Sequence, residues 1–205
     1  MGTFSQTNIK CDRIETVLTE LKKHLNIGRS VWSDKSDTFF HRVQHENNPS
    51  TQWNTTITIT KNQSTDWVEI EFDFNGNLYV YDEVLRRISG SLETTILLGY
   101  FQSTTGDGRL AKFKDGRMDI SFFERHFYYK SHDDDRYSVD RLYVADNFGV
   151  QNSKLPTLKE TVLGVDSSLI DHDFIYEFYR SEGWDSDLNI NYHDWKYLHV
   201  EQKHQ

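Results

Sequence analysis

Residues 78–123 run LYVYDEVLRRISGSLETTILLGYFQSTTGDGRLAKFKDGRMDISFF, and the reading of this stretch sets the fold class. Leu78 to Tyr81 is a short apolar run that reads as a strand. Tyr81, Leu85, Ile88 and Leu92 then recur at helical spacing with polar residues between them, the pattern of a helix with one buried side. Thr94 to Phe101 is too short for another helix and rich in strand formers, so it reads as a buried central strand. Arg109 to Phe113 and Met118 to Phe123 flank Asp115-Gly116, a tight-turn dipeptide that predicts a hairpin.

Working outward, Phe4 to Cys11 reads as an opening strand. Ile14, Val17, Leu18, Leu21 and Leu25 form one apolar stripe, so a helix is expected over 12–25, capped by Asp12 with Glu15 three residues on and stopped by Gly28. Residues 28–52 are polar, with an apolar patch at Phe39-Phe40 and a loop over Gln44 to Gln52 that contains Asn47-Asn48-Pro49-Ser50. Thr55 to Lys61 and Trp67 to Phe74 alternate as strands about a turn at 62–66, and Asn75-Gly76 turns into Leu78. Strand–helix–strand–strand–helix–strand is the ferredoxin-like order. The expected class is therefore α+β: an antiparallel-rich sheet with two helices on one face, extended by the final hairpin. A plain α+β sheet with other pairings has the same element order.

The remainder is less regular. His126 to Arg136 reads as a charged break, Tyr137 to Ala145 as a strand and Asp146 to Pro156 as a linker. Thr157 to Leu163 suggests a short helix, Ser168 to Ser181 a longer one followed by Gly183, and Leu188 to Tyr192 a last strand. Residues 1–145 are taken as the sheet domain, with 146–205 as a C-terminal segment packed on it in one compact unit.

Composition narrows the functional classes. Aromatic residues make up 14% of the chain, against two prolines and one cysteine. Large rings bury much area each, which supports a packed core. With Cys11 alone, neither an intrachain disulfide nor a thiolate metal cluster is possible, and a reducing, cytoplasmic setting is expected. The N-terminus shows no signal-peptide pattern and no run is long enough to span a bilayer. The net charge of −9 is uneven: residues 1–131 carry 16 Lys+Arg against 17 Asp+Glu, whereas 132–205 carry 7 against 15. Such a segment attracts a basic partner and repels nucleic acid.

Several constellations invite a chemical reading. Ser103-Thr104-Thr105-Gly106-Asp107-Gly108-Arg109 resembles an anion cradle, but it lacks the Lys-Ser/Thr ending of a P-loop and joins two strands, so a plain turn is expected. Asp185-Ser186-Asp187-Leu188-Asn189 opens like a calcium loop, yet Ile190 and Lys196 stand where glycine and glutamate are needed. Glu69, Glu71 and Asp73 share one face of a strand, and a solvent-facing polar row is the simpler account. Cys11, at a strand–helix junction, is expected to pack as a small hydrophobe. Histidines adjoin acids at His132-Asp133, Asp171-His172-Asp173 and His193-Asp194, which would serve a hydrolase, with or without a metal, only if they converge.

The strongest candidate is a surface. Asp133, Asp134, Asp135, Asp171, Asp173, Glu177, Asp185 and Asp187 are interleaved with Tyr176, Tyr179 and Trp184. Tyrosine and tryptophan are enriched in binding hot spots, and carboxylates around them speed encounter with a cationic protein.

The run Ile88-Ser89-Gly90-Ser91-Leu92-Glu93-Thr94, its following apolar strand, Gly106-Asp107-Gly108 and Asp115-Gly116 resemble a helix–strand–hairpin unit of small bacterial α+β proteins. Many of these are uncharacterised, and some are immunity proteins that neutralise a toxin. The resemblance covers a small part of the chain and brings no catalytic residues. It implies a non-enzymatic binding protein facing a basic, toxin-like partner; the residue patterns add the expectation of no cofactor, no metal, no nucleic acid and no membrane. A carboxylate–histidine hydrolase is the alternative, and the aromatic surface would also allow a homodimer.

Overall fold

The computed structural model describes residues 3–33, 55–62, 64–72, 79–130, 135–145, 161–163, 170–184 and 195–203. Their fold is mixed α+β, with one antiparallel sheet and three helices. In chain order the elements are β1 (Thr3–Lys10), α1 (Ile14–His24), β2 (Ile27–Ser33), β3 (Thr55–Asn62), β4 (Trp67–Glu71), α2 (Asp82–Ser91), β5 (Thr95–Gln102), β6 (Gly108–Lys114), β7 (Arg117–Lys130), β8 (Asp135–Ala145), β9 (Thr161–Leu163), α3 (His172–Ser181) and β10 (Trp195–Gln202). The ten strands are ordered β2-β10-β3-β4-β1-β5-β6-β7-β8-β9. At the centre, β1 pairs antiparallel with both β4 and β5, with Thr7 opposite Ile70 on one side and Leu98 on the other. The strands on either side of α2, β4 and β5, therefore enclose β1, whereas those on either side of α1, β1 and β2, are separated by β4, β3 and β10. The C-terminal β10 lies between β2 and β3, so the end of the chain is part of the sheet.

The alternation of side chains explains how this sheet is covered. Successive residues of a strand point to opposite faces. From β5, Ile96, Leu98 and Tyr100 enter one core with Ile9, Ile57, Ile59 and Ile70 of neighbouring strands, Ile14, Val17 and Leu21 of α1, and Leu85 and Ile88 of α2. Leu97 points the other way, into a second core with Leu110, Ile120, Phe122, Ile170, Ile175, Phe178 and Tyr179. Each fully buried aliphatic side chain contributes about 1.5–3 kcal/mol, so both faces of the central strands are strongly committed.

Two glycines admit α3 to the second face. A Cβ on Gly99 would lie 2.4 Å from Ile175 Cγ2 and 2.6 Å from the Tyr179 hydroxyl, and one on Gly108 would lie 2.5 Å from Ile170 Cβ. Glycine within a strand here marks the close approach of a helix. On the first face, the guanidinium of the fully buried Arg109 on β6 donates to both carboxylate oxygens of Asp82, at 2.6 and 2.5 Å, and lies 4.2 Å from the centroid of the Tyr79 ring. This bidentate pair ties β6 to the start of α2.

The structure departs from the sequence expectation at several points. Helix α1 begins at Ile14 behind Arg13, with no side-chain cap, while Asp12 lies outside it near Arg13. Gly28, expected as a helix stop at the start of a polar stretch, belongs to β2, a strand made by pairing with β10. Tyr79 to Tyr81 form a turn, because the Asp82 N–H donates to the Tyr79 carbonyl and Tyr81 folds inward to stack on Phe72 at 4.2 Å. β7 continues to Lys130 through the expected break, extended by an eleven-pair register with β8 from Ile120–Ala145 to Lys130–Asp135. Thr161 to Leu163 is a strand held by β8, where a helix was expected. The apolar patch at Phe39-Phe40, the Asn75-Gly76 turn, the 146–156 linker and the 188–192 strand lie outside the described residues.

Adding a methyl group at Gly99 forces α3 outward or distorts β5. Gly99→Ala is expected to lose about 1–3 kcal/mol in chemical denaturation, and a variant as stable as the parent would show that α3 does not rest on this strand. Asp82→Ala removes the carboxylate from a buried guanidinium and is expected to cost about 3–5 kcal/mol, with Arg109→Met restoring much of the loss in the double variant.

Candidate functional site

The sequence-predicted surface centres on α3, and its described part is built from that helix upward. Asp171 caps the helix by accepting the Phe174 N–H at 2.8 Å, and Asp173 and Arg180 complement the positive and negative helix ends. Ile175, Phe178 and Tyr179 are buried. The Tyr179 hydroxyl donates to the Gln6 carbonyl at 2.6 Å, anchoring the helix to β1. Gly183, at φ +86°, takes the left-handed conformation that ends the helix and turns the chain back. Trp184 then donates its backbone N–H to the Tyr179 carbonyl at 3.0 Å, and the Trp67 indole donates to the Gly183 carbonyl at 3.3 Å. Tyr176 stacks on Trp184 with centroids 5.6 Å apart and 7° between planes.

This packing divides the predicted residues. Asp171, Asp173 and Glu177 are exposed on α3, and Tyr176 beside them is half-buried. Tyr179 is fully buried and Trp184 is 5% exposed, so these two rings are core supports for the helix and offer no contact area of their own. The Tyr179 hydroxyl, which looked like the polar tip of a surface anchor, serves a hydrogen bond within the fold. Glu182 is half-buried in an ion pair with Lys112 at 2.6 Å. Asp135 is the first residue of β8. Asp133, Asp134, Asp185 and Asp187 lie outside the described residues.

Glu69, which the sequence reading placed in solvent, is half-buried in the structure. It stands on β4 with Asn8 opposite on β1 and Thr60 opposite on β3, on the sheet face that α3 covers. Directly opposed residues in antiparallel strands share a face. Burial pushes the Glu69 carboxyl up to about 7, with a smaller opposing influence from nearby Trp184. The Glu69 charge in turn raises the phenols of Tyr176 and Tyr179, secondary to burial in both cases. Asn8 is fully buried and its Nδ2 has no hydrogen-bond partner among the described residues, so no donor from Asn8 relieves the carboxylate. Glu71, two residues on, is exposed yet is shifted upward by desolvation. Asp73 lies outside the described residues. No helical or alternation signal marks Glu69; only the arrival of α3 distinguishes it from Glu71.

The other constellations resolve as structure. Residues 103–105 are a turn in which Thr105 and Gly106 donate to the Gln102 carbonyl, and Arg109 is engaged with Asp82. A Cβ on Gly106 would lie 3.0 Å from the His126 ring, and Asp107 accepts the His126 N–H. Beneath this turn His126 Nε2 lies 2.8 Å from Glu124 Oε1, with side chains 3% and 0% exposed, a carboxylate–histidine pair closed to solvent. His172 is exposed and sits edge-on to Phe4 at 4.9 Å and Phe101 at 5.7 Å. His132 and His193 lie outside the described residues, as does the 185–189 segment. Cys11 is half-buried against the first core. Among the described residues, no group of three or more His, Cys, Asp or Glu is placed to hold a metal ion, and no helix is long and apolar enough to cross a membrane.

Glu69 gives the fold a defined pH signature. Its carboxyl binds a proton more tightly in the folded state, near 7, than at its ordinary value of 4.5. The folded chain thus holds the extra proton between these values, and stability falls as pH rises through that window. Glu69→Gln is expected to gain about 1–2 kcal/mol over the parent at pH 8 and little at pH 4, the full shift being discounted for residual solvent screening. Denaturant titrations at the two pH values check this. No family model, no curated protein and no solved structure matches the chain.

Proposed function

We propose that the chain is a non-enzymatic binding protein that captures a basic protein through an acidic, aromatic face centred on α3. The observation that carries this reading is the division of that helix: Ile175, Phe178 and Tyr179 hold it to the sheet, while Asp171, Asp173 and Glu177 remain exposed around half-buried Tyr176. A rigidly seated helix presents these groups without ordering them at the moment of binding. Carboxylates at the rim attract a cationic surface over about a Debye length, roughly 8–10 Å at physiological salt, and raise the association rate. The concentration of acid in residues 132–205 extends the same field.

An immunity protein that occludes a basic toxin has this chemistry, and that is the reading we favour. The central strands with α1 and α2 are read as a ferredoxin-like unit with two helices on one face, which serves as the scaffold. A cytoplasmic setting fits the single thiol. For the hydrolase alternative, the described carboxylate–histidine pair, Glu124 and His126, is closed to solvent.

The test is affinity capture from the source lysate at low and high salt, comparing the parent with Asp171→Lys/Asp173→Lys. Retention of one basic protein by the parent, its release by salt and its loss from the variant are expected. Association rates of the purified pair at low salt should fall about tenfold or more on charge reversal. Equal rates for parent and variant, with both folded, would remove α3 from the interface.

A further inference from the structure

The sheet face that carries α3 is apolar on one half and polar on the other. Over β5 to β7 it presents Leu97, Leu110, Ile120 and Phe122, which pack in one core with the helix. On the adjoining strands the same face carries Asn8 of β1, Glu69 and Glu71 of β4, and Thr58 and Thr60 of β3. The registers Asn8–Glu69, Glu69–Thr60 and Glu71–Thr58 set them side by side. Glu69 and Glu71 stand roughly 7 Å apart along β4. The end of α3 borders this polar half: Trp67, two residues before Glu69 on the same face, donates its indole N–H to the Gly183 carbonyl at 3.3 Å.

The cationic groups near this face are engaged elsewhere. Lys112 is paired with Glu182 at 2.6 Å, three strands from Glu69 along the row Glu69–Asn8–Leu97–Lys112. Lys10 lies 3.6 Å from Asp66, its ammonium 5.9 Å from the centroid of the Trp67 ring. His199 on β10 has its Nδ1 3.4 Å from the Thr58 hydroxyl, and Arg180 of α3 acts on Tyr176. Among the described residues no cation acts on Glu69 or Glu71. At the inner end Asn8 is fully buried; Gln6 donates to its Oδ1 at 3.0 Å, and its Nδ2 has no acceptor among the described residues. A buried amide donor without an acceptor and a half-buried carboxylate without a counter-charge are each unfavourable. One ligand relieves both if it brings a cation and an oxygen.

We infer that this polar half is a binding site for an organic cation, an ammonium or guanidinium group with a carbonyl or hydroxyl oxygen beside it: Glu69 and Glu71 take the cation, and Asn8 Nδ2 donates to the oxygen. Glu71 is exposed while Glu69 and Thr60 are half-buried, so the cation enters at Glu71 and is held at Glu69. Such a group has two sources, a basic side chain with its backbone carbonyl and a free amino alcohol. The first would add the sheet to the α3 face and rests on the binding reading; the site itself does not.

Calorimetric titration of the full chain at pH 8 and physiological salt tests the site without a partner. Acetyl-arginine methylamide represents the peptide-borne cation and glucosamine the free one, with acetyl-citrulline methylamide and glucose as uncharged counterparts. Saturable one-site binding of at least one cation is expected, about tenfold or more tighter than its counterpart, and lost in Glu69→Gln/Glu71→Gln. The oxygen-free analogues ethylguanidine and cyclohexylamine should bind about tenfold more weakly than their parent probes. Binding of the arginine probe alone assigns the site to a basic side chain, and binding of glucosamine alone to a free amine. Three results overturn the site: no saturable binding of either cation, binding that survives in Glu69→Gln/Glu71→Gln, or equal affinity for the oxygen-free analogues. Asp171→Lys/Asp173→Lys should keep the probe binding, so failure of the α3 face and failure of this site are told apart.

Discussion

The structure depends on the burial of β5 and β6 from both sides. Ile96 and Leu98 require α1 and α2 above one face, and Leu97 and Leu110 require cover on the other. An apolar strand left open on either face would expose a contiguous patch of the kind that drives association. α3 supplies the second cover, and Gly99 and Gly108 make its approach possible by leaving no Cβ in its path. The helix brings three aromatic rings, Tyr176, Tyr179 and Trp184, down beside a strand that carries alternating carboxylates.

That arrangement couples the two properties of interest. The residues that hold α3 in place and those it presents outward belong to the same ten-residue helix. Tyr179 spends its hydroxyl inward on the Gln6 carbonyl, and the Trp67 indole holds the Gly183 carbonyl at the helix end, which gives the helix a defined seat. Of the carboxylates that remain outside, Asp171 caps the helix, and Asp173 and Glu177 are exposed. Any partner surface here is therefore shaped by how firmly the buried side is packed.

The buried pairs elsewhere act as fixed points. Arg109 with Asp82 joins β6 to α2, and Lys112 with Glu182 joins β6 to the end of α3. The two pairs leave β6 on opposite faces, so one strand fastens a helix to each side of the sheet. Partial burial makes such pairs costly to break, because the remaining charge would lose its partner without regaining full hydration.

By itself, the sequence determined the elements whose own residues carry a period. The α1 stripe Ile14-Val17-Leu18-Leu21, the α2 stripe Leu85-Ile88, the continuous apolar run of β5 and the Asp115-Gly116 turn are local patterns, and each was legible as such. The mixed α+β class follows from them. Tertiary structure decided what no local pattern encodes. β2 and β9 exist because β10 and β8 pair with them, and β7 runs through a charged stretch because β8 satisfies its backbone. Likewise Asp171, Asp173 and Glu177 are outside and Tyr179 and Trp184 inside because of where α3 lands. Glu69 and Glu71 have the same letter and the same facing, and differ in that Glu69 is half-buried on the face α3 covers while Glu71 is exposed. Hydration of a side chain depends on what approaches from elsewhere in the chain, and sequence spacing carries no record of that approach.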